Sequence, residues 1–439
     1  MKYALGNMLN GAGSINPDGL ALDLQFAADK TLTARRGPTP VFSRGSTGTF
    51  VGSNGLIQSA AINAPRFDHD PVTLASRGLL IEEPRQNILS FSESISNTAW
   101  NAFASASATD NQTTSPSGVA SSASRLTANA GTDTRRTRVR ITNITTGGST
   151  YSASAFVKAG ASNFGVVYMS FNKSGIGVIR NCDAHIVFST GVVTKTGVSN
   201  ANFTVTSTPY PDGWYRITIS ATSNASIAVE DQVVLGVGIA FNGTGGSGTF
   251  AGTETVFAWG AQLEAGSFAT SYIPTTTGTL ARSADVCSIT GGDFTNLYNQ
   301  SEGTLLSEAS IANLVGNNRG IVQIDDDLTS NFIRHVYGVA NGGFSSLIRA
   351  NIDAQTALSV VTGAASTIQK RVIAYAGTSF ASSANGAAVE TATRTMPTGL
   401  NNIKIGYLFT GSFYLNGHLA SIRYYKKRLP NAKLQALTV

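Results

Sequence analysis

The amino-acid sequence predicts an all-β chain: two antiparallel β-sandwiches preceded by an N-terminal strand-and-loop segment. Three observations carry that expectation. Charged residues make up only 13% of the 439, about half the usual share. Gly, Ser, Thr, Ala and Asn fill the gap, which suits many short strands joined by tight turns. Apolar and polar residues alternate in short stretches spaced at roughly regular intervals. Helical periodicity is nearly absent. Its best case is the terminal "RLPNAKLQALTV", where Pro430 suits a first turn and Leu434 and Leu437 share a face.

The elements follow in order. In "LALDLQFAA", Leu20, Leu22, Leu24 and Phe26 alternate. In "TFVGSNGLIQS", two short strands flank Asn54-Gly55, a hairpin signal. A boundary is expected near "GLLIEEPRQN", so residues 1–84 form the first segment. The polar stretch "SASATDNQTTSPSGVASSASR" reads as loop or edge. "RRTRVRITNI", "YSASAFVKAG", "NFGVVYMSF", "DAHIVFSTGVVTKTG", "GWYRITISATS" and "TVFAWGAQLE" read as strands of a sandwich over 85–285. In the last of these, Phe257, Trp259, Ala261 and Leu263 are expected on one, core-facing side, with Gln262 and Glu264 opposite. "AGSFATSYIPT" then turns a linker back onto the sandwich, anchored by Tyr272 and Ile273. A second series, from "EGTLLSEASI" to "HLASIRYYKKRL", reads as a sandwich over 286–439.

Several function classes are disfavoured. A net charge of +6 on so long a chain is too mild to argue for nucleic acid. No stretch reaches the roughly 18 apolar residues of a membrane helix, and the N-terminus lacks the apolar run of a secretory signal. Cys182 and Cys287 form no disulfide framework and read as buried thiols. His69, His185, His335 and His418 lack metal-ligand spacing. "NGTGGSGTF" sits between strands with no helix to follow, so it reads as a flexible loop and not a phosphate cradle. Nothing implies a cofactor. Asp325, Asp326 and Asp327 offer carboxylates for Ca²⁺, against the plainer reading of a turn at a strand end. Glu82-Glu83 and Asp68/Asp70 are close pairs, but a glycosidase needs carboxyls facing each other across a cleft. The expectation is a protein that is not an enzyme.

Two constellations remain. Arg136, Arg138 and Arg140 share one strand face, a positive stripe for an acidic glycan, a lipid headgroup or a neighbouring subunit. Trp214 and Arg216 share a face, as do Phe156 and Lys158. An exposed aromatic ring beside Arg, Lys, Gln262 and Glu264 is equipment for carbohydrate, since the ring covers a sugar's C–H face and planar polar groups bond its hydroxyls. The plainer reading is that the tryptophans pack in a core.

The run "TPVFSRGSTGTFVGSNGLIQSAAINAPRFDHDPVTLASRGLLIEEPRQNIL" resembles the N-terminal segment of bacteriophage head-spike and tail-fibre-type proteins. "SAFVKAG", "DGWYRITISAT" and "WGAQLEAGSFATSYIPTTTGTLARSADV" resemble the segment that follows in that family. There the middle segment looks like a carbohydrate-binding jelly roll, and the last part is similar to concanavalin A-like, laminin-G-type domains. The match runs from about residue 37 onward. It implies a virion surface protein, made in the host cytoplasm, that docks on other virion proteins through residues 1–84 and binds host surface polysaccharide. By analogy it is a homo-oligomer, with a trimer favoured. Two alternatives stand beside it. One is an architectural adaptor or decoration protein. The other is a polysaccharide depolymerase, with acids drawn from Glu230, Asp231, Glu254, Glu264 or Asp325.

Overall fold

The computed structural model describes residues 18–439 except 101–104, 144–147, 174–176, 198–202, 224–231, 315–317, 339–342, 352–355 and 410–412. The chain is nearly all strand, and the strands form antiparallel sandwiches as expected. It divides into two compact units, one spanning 43–285 and the other combining 1–42 with 286–439.

In the 43–285 unit one sheet has five strands, in the order Arg135–Asn143, Gln232–Ala240, Phe164–Lys173, Gly177–Val187 and Val192–Thr196. The other has six: Thr204–Pro209, Trp214–Thr222, Thr150–Ala159, Thr255–Ala265, Ala123–Ala128 and Ala106–Thr113. The chain crosses repeatedly between the two, so most hydrogen-bonded neighbours are distant in sequence. Alternation sends Val167, Met169, Phe171, Val237 and Ile239 inward from the first sheet. Ala155, Val157, Ile217, Ile219 and Leu263 meet them from the second.

In the other unit, Glu390–Thr393, Ser379–Ala384, Gln369–Ala376, Glu302–Ile311 and Gly417–Tyr425 pair in that order. Opposite them run Val286–Thr290, Asn402–Ile405, Arg319–Asp325, Phe332–Gly338, Gly343–Arg349 and Thr356–Val361. The expected terminal helix forms at Asn431–Leu437, and Leu434 enters a cluster with Leu306, Val372 and Ala381. Cys182 and Cys287 are both buried.

The N-terminal segment departs from expectation. It is not a separate piece ending at residue 84. Leu20–Leu24 pairs antiparallel with Gly417–Tyr425, and Leu22, Leu24 and Phe26 are fully buried. Alternating leucines need an apolar surface, and the C-terminal sheet supplies it. Residues 43–84 cluster instead in the 43–285 unit. The expected hairpin is there, Gly48–Val51 on Ile57–Ala60, and Gly55 takes φ +77° in the turn between them. The segment expected to end at residue 84 is thus divided between the two units.

Candidate functional site

The strand Thr255–Ala265 decides the fate of the predicted sugar patch. Its pairing with Thr150–Ala159 slips: Phe156 faces Trp259, while Ser154 faces Gln262. At the slip Gly260 has φ +61°, and a Cβ there would stand 2.9 Å from the Phe156 ring. The extra residue is a β-bulge, and a one-residue slip exchanges the two faces. Val256 and Ala258 face the inter-sheet core before the bulge, and Ala261 and Leu263 face it after. Trp259 therefore leaves the expected company of Ala261 and Leu263. It joins Gln262 and Glu264 on the outer face.

That same face carries Phe156, Lys158, Trp214 and Arg216, since Lys158 pairs with Trp214 and Phe156 with Arg216. The six predicted residues do share one surface, but the chain itself covers it. Trp214 is 1% exposed, and Phe156, Gln262 and Glu264 are fully buried. Ile57, Tyr210 and Tyr272 close over the aromatic part, with Tyr272 4.7 Å from Trp259 between ring centroids. Trp214 Nε1 donates to the Thr114 carbonyl at 3.1 Å. Glu264 accepts from the amide (2.9 Å) and hydroxyl (2.6 Å) of Thr270, and Gln262 Oε1 accepts from Ile273 N at 2.6 Å. Arg216 Nη2 donates to the Thr270 carbonyl at 2.8 Å. Lys158, half-buried, pairs with Asp212 at 2.6 Å. Burial pushes the Glu264 carboxyl up, partly offset by its hydrogen bonds from Thr270 and Gln262. Planar polar groups that would bond a sugar's hydroxyls instead bond residues 270–273. The turn anchors Tyr272 and Ile273 are buried, as expected.

Beside this socket lies a network that sequence reading missed. Asp285 accepts from Arg44 Nη1 at 3.1 Å and Arg66 Nη2 at 2.5 Å, and also from Glu82 N at 2.9 Å. Glu82 takes Arg66 at 2.8 Å, Arg282 at 3.5 Å and the Ser271 hydroxyl at 2.7 Å. All five charged side chains are essentially shut off from solvent. Three cations and two carboxylates can be buried together only with such dense pairing. The available signal was the motif run itself: "FSRGS", "APRFD", "LLIEEP" and "LARSADV" each contribute a member.

The arginine stripe is also internal, which corrects the expected solvent- or partner-facing role. Arg136, Arg138 and Arg140 pair with Ile239, Val237 and Leu235, whose side chains point into the core. At the sheet's edge the arginine stems follow that inner side, and the guanidinium groups of Arg138 and Arg140 reach the segment at 90–99. Arg138 donates to the carbonyls of Ile95 (3.3 Å), Ser96 (3.3 Å) and Asn97 (3.2 Å). Arg140 reaches the Ala99 carbonyl at 3.4 Å and the Ser90 hydroxyl at 3.1 Å. Arg136 lies over the Phe250 ring, 5.4 Å from its centroid. Arg138→Ser should therefore lower stability by about 1–3 kcal/mol, because buried carbonyls lose their donors. Urea titration checks this, and an unchanged midpoint would return the stripe to a surface role.

The acidic candidates are likewise engaged. Lys404 Nζ lies 2.7 and 2.8 Å from the two Asp325 oxygens and 2.8 Å from Asp327 Oδ1. An ammonium thus occupies the place a calcium ion would take between those carboxylates. Asp326 closes its own turn, accepting from Leu328 N at 3.0 Å and Asn331 Nδ2 at 2.9 Å. Glu254 accepts the amides of Ala251, Gly252 and Thr253. Glu230 and Asp231 lie outside the described residues.

A polar constellation on the outer face of the five-stranded sheet has unmet hydrogen-bonding capacity among the described residues. Tyr168, Asp183 and Thr196 lie in register on three adjacent strands, with His185 two residues along from Asp183. Arg135 comes from the strand two away from Tyr168. The strand between Arg135 and Tyr168 carries Gly236, and a Cβ there would strike the Tyr168 ring. The missing side chain lets that ring lie down across the sheet. Arg135 stacks on the ring at 4.2 Å and donates to Asp183 Oδ2. His185 Nε2 meets Thr196 Oγ1 at 3.0 Å. Asp183 Oδ1, His185 Nδ1 and Asn181 Oδ1 are buried with no hydrogen-bond partner among the described residues. Burial, aided by Arg135, lowers His185 to about 4, so its ring is neutral at pH 7. Burial raises the Asp183 carboxyl against the pull of Arg135. Arg135, Thr194 and Thr196 remain partly open to solvent. In sequence, Asn181, Asp183 and His185 alternate on one side of a strand whose other side is apolar, a pattern that could have singled them out.

No known family model matches the chain, and no curated protein matches its sequence. Among solved structures, the CBM40 domain of Ruminococcus gnavus IT-sialidase bound to α2,6 sialyllactose aligns at TM-score 0.29 and 14% identity, over 34% of this chain and 88% of that one. Domain 4 of AbnA, a GH43 extracellular arabinanase from Geobacillus stearothermophilus in complex with arabinotriose, aligns at TM-score 0.31 and 11% identity, over 39% of this chain and 82% of that one. The native heptameric SAP-like pentraxin of Limulus polyphemus aligns at TM-score 0.25 and 10% identity, over 32% of this chain and 70% of that one. Each similarity spans about a third of this chain and transfers no residue role to it.

Proposed function

We propose that this chain is a non-enzymatic adhesion subunit of a bacteriophage particle, a head or tail fibre or spike. Its 43–285 sandwich takes host surface polysaccharide on the outer face of the five-stranded sheet. One observation supports the sugar site. Asp183 Oδ1, Asn181 Oδ1 and His185 Nδ1 are buried without hydrogen-bond partners among the described residues, beside a guanidinium already oriented on Tyr168. Buried polar atoms left unpaired are costly, and the hydroxyls of a sugar would satisfy them. The virion assignment rests on the sequence resemblance, as do a homo-oligomeric, trimeric state, synthesis in the host cytoplasm and display on the virion surface. Docking on other virion proteins through residues 1–84 rests on the same resemblance, with residues 43–84 belonging to the 43–285 unit.

The test is host-polysaccharide binding by the full chain, wild type against Asp183→Asn. The substitution keeps the shape but removes the charge paired with Arg135. Affinity should fall at least about tenfold, or 1.4 kcal/mol, with the melting temperature nearly unchanged. Equal binding by both proteins would move the site elsewhere. No binding by either would favour the architectural reading. That reading draws on a different observation: the stretches that carry the resemblance are spent on the buried network of Arg44, Arg66, Glu82, Arg282 and Asp285.

A further inference from the structure

The unit that contains residues 286–439 holds an unusual polar layer between its two sheets. Arg371 stands beside Ser307 in register and is fully buried. Its Nη2 donates to the carbonyls of Phe344 and Ser359, the latter at 2.8 Å. From the facing sheet comes His335, also fully buried, whose Nδ1 meets the Ser307 hydroxyl at 2.7 Å. Phe344 and Ser346 lie on the strand next to His335, and the Ser346 hydroxyl takes a hydrogen bond from Ser382 at 2.9 Å. These contacts place the guanidinium, the imidazole and the serines in one layer.

Four side-chain atoms of that layer are buried with no hydrogen-bond partner among the described residues: Arg371 Nε, Arg371 Nη1, His335 Nε2 and Ser359 Oγ. Nδ1 can accept from the Ser307 hydroxyl, a tautomer that leaves the proton on Nε2. In it all four atoms can donate, and among the described residues no carboxylate bonds to them. The charge nearest to balance is Glu390, an exposed residue whose carboxylate is turned to the Ser359 amide at 2.6 Å. Burial and the charge of Arg371 keep His335 neutral, so the positive charge in the layer is that of Arg371. A buried cation with two open donor nitrogens beside further open donors calls for an anion.

We propose that Arg371, His335 and Ser359 bind a small monovalent anion of the halide class between the two sheets. The anion accepts from both open guanidinium nitrogens, the imidazole and the hydroxyl. It acts as a structural counter-ion, and it binds the folded unit only.

The test is calorimetry of the full chain in sodium gluconate progressively replaced by sodium bromide at fixed ionic strength, with crystals grown in bromide. By mass action the melting midpoint of this unit should rise about 3–5 °C per tenfold increase in bromide. Bromide is not among the salts that stabilise proteins by exclusion from their surface, so a rise marks binding. An anomalous-scattering peak should appear within hydrogen-bond distance of Arg371 and His335. Arg371→Met should abolish both. If that variant does not fold, His335→Gln should flatten the bromide response while keeping an amide near Ser307. A midpoint that is the same in gluconate and bromide, or density that fits only water at Arg371, would overturn the proposal.

Discussion

Asp285→Asn should destabilise the 43–285 unit by about 3–5 kcal/mol, the scale expected when one partner is removed from a buried charge network. The loss arises because Arg44 and Arg66 both donate to this carboxylate. Without it, three buried guanidinium groups share Glu82 alone. Denaturant titration reads the change, and a loss below about 1 kcal/mol would show that the network is replaceable. A pH arm isolates Glu82. Burial alone would raise its carboxyl, but Arg282, Arg66 and Ser271 hold it well below the usual carboxylate range. A depressed carboxyl contributes stability above its unfolded value and loses it as pH falls through the folded one. The stability gap between wild type and Glu82→Gln should therefore be full above about pH 4.5 and shrink below it. Glu264 has the opposite sign, because burial raises it. Comparing the two proteins cancels that contribution.

Trp259→Ala should cost about 3–5 kcal/mol by opening a cavity in the covered face. The expected size matches a tryptophan in a sandwich core, but the location differs. The ring packs on Phe156 at 5.5 Å and on Tyr272 at 4.7 Å, outside the inter-sheet core. Ala258→Gly, on the core side of the same strand, should cost far less. A loss from Trp259→Ala below about 1.5 kcal/mol in equilibrium unfolding would mean that residues 266–275 can lift away from the sheet. Glu264→Ala should also be destabilising, because the Thr270 amide and hydroxyl lose their acceptor.

Much of the fold was legible because alternation is a local property. Leu20–Leu24, the Asn54-Gly55 hairpin and the terminal helix each show their period within a few residues. What stayed hidden depends on pairing across long separations. Strict alternation through "FAWGAQLE" put Trp259 with Ala261 and Leu263, and only the slip at Gly260 shows otherwise. Likewise "TRRTRVR" looks like a charged face to solvent, because periodicity does not reveal that the residues at 90–99 fold back over it. The six residues offered as a sugar patch lie on one face of the six-stranded sheet. Their exposure was not legible, since covering is supplied by residues far along the chain, at 57, 210 and 272. The Asp183 constellation was missed for a related reason. Its members come from four separate strands, and its most telling feature is a glycine, Gly236, that makes room for the Tyr168 ring.

The pairing of Leu20–Leu24 with Gly417–Tyr425 joins residues roughly 400 positions apart, which sets an order of events during synthesis. At roughly 5–20 residues per second, the first strand waits about 20–80 s on a ribosome before its partner is made. The 43–285 sandwich has all its strands well before that and can fold while translation continues. The unit that holds Leu20–Leu24 can close only once residues 417–425 have been made. Until then its early strand presents buried-type leucines, Leu22 and Leu24, to whatever is near. A nascent chain of this protein therefore carries a built-in interval of vulnerability, the time in which chaperones and neighbouring copies compete for one short strand.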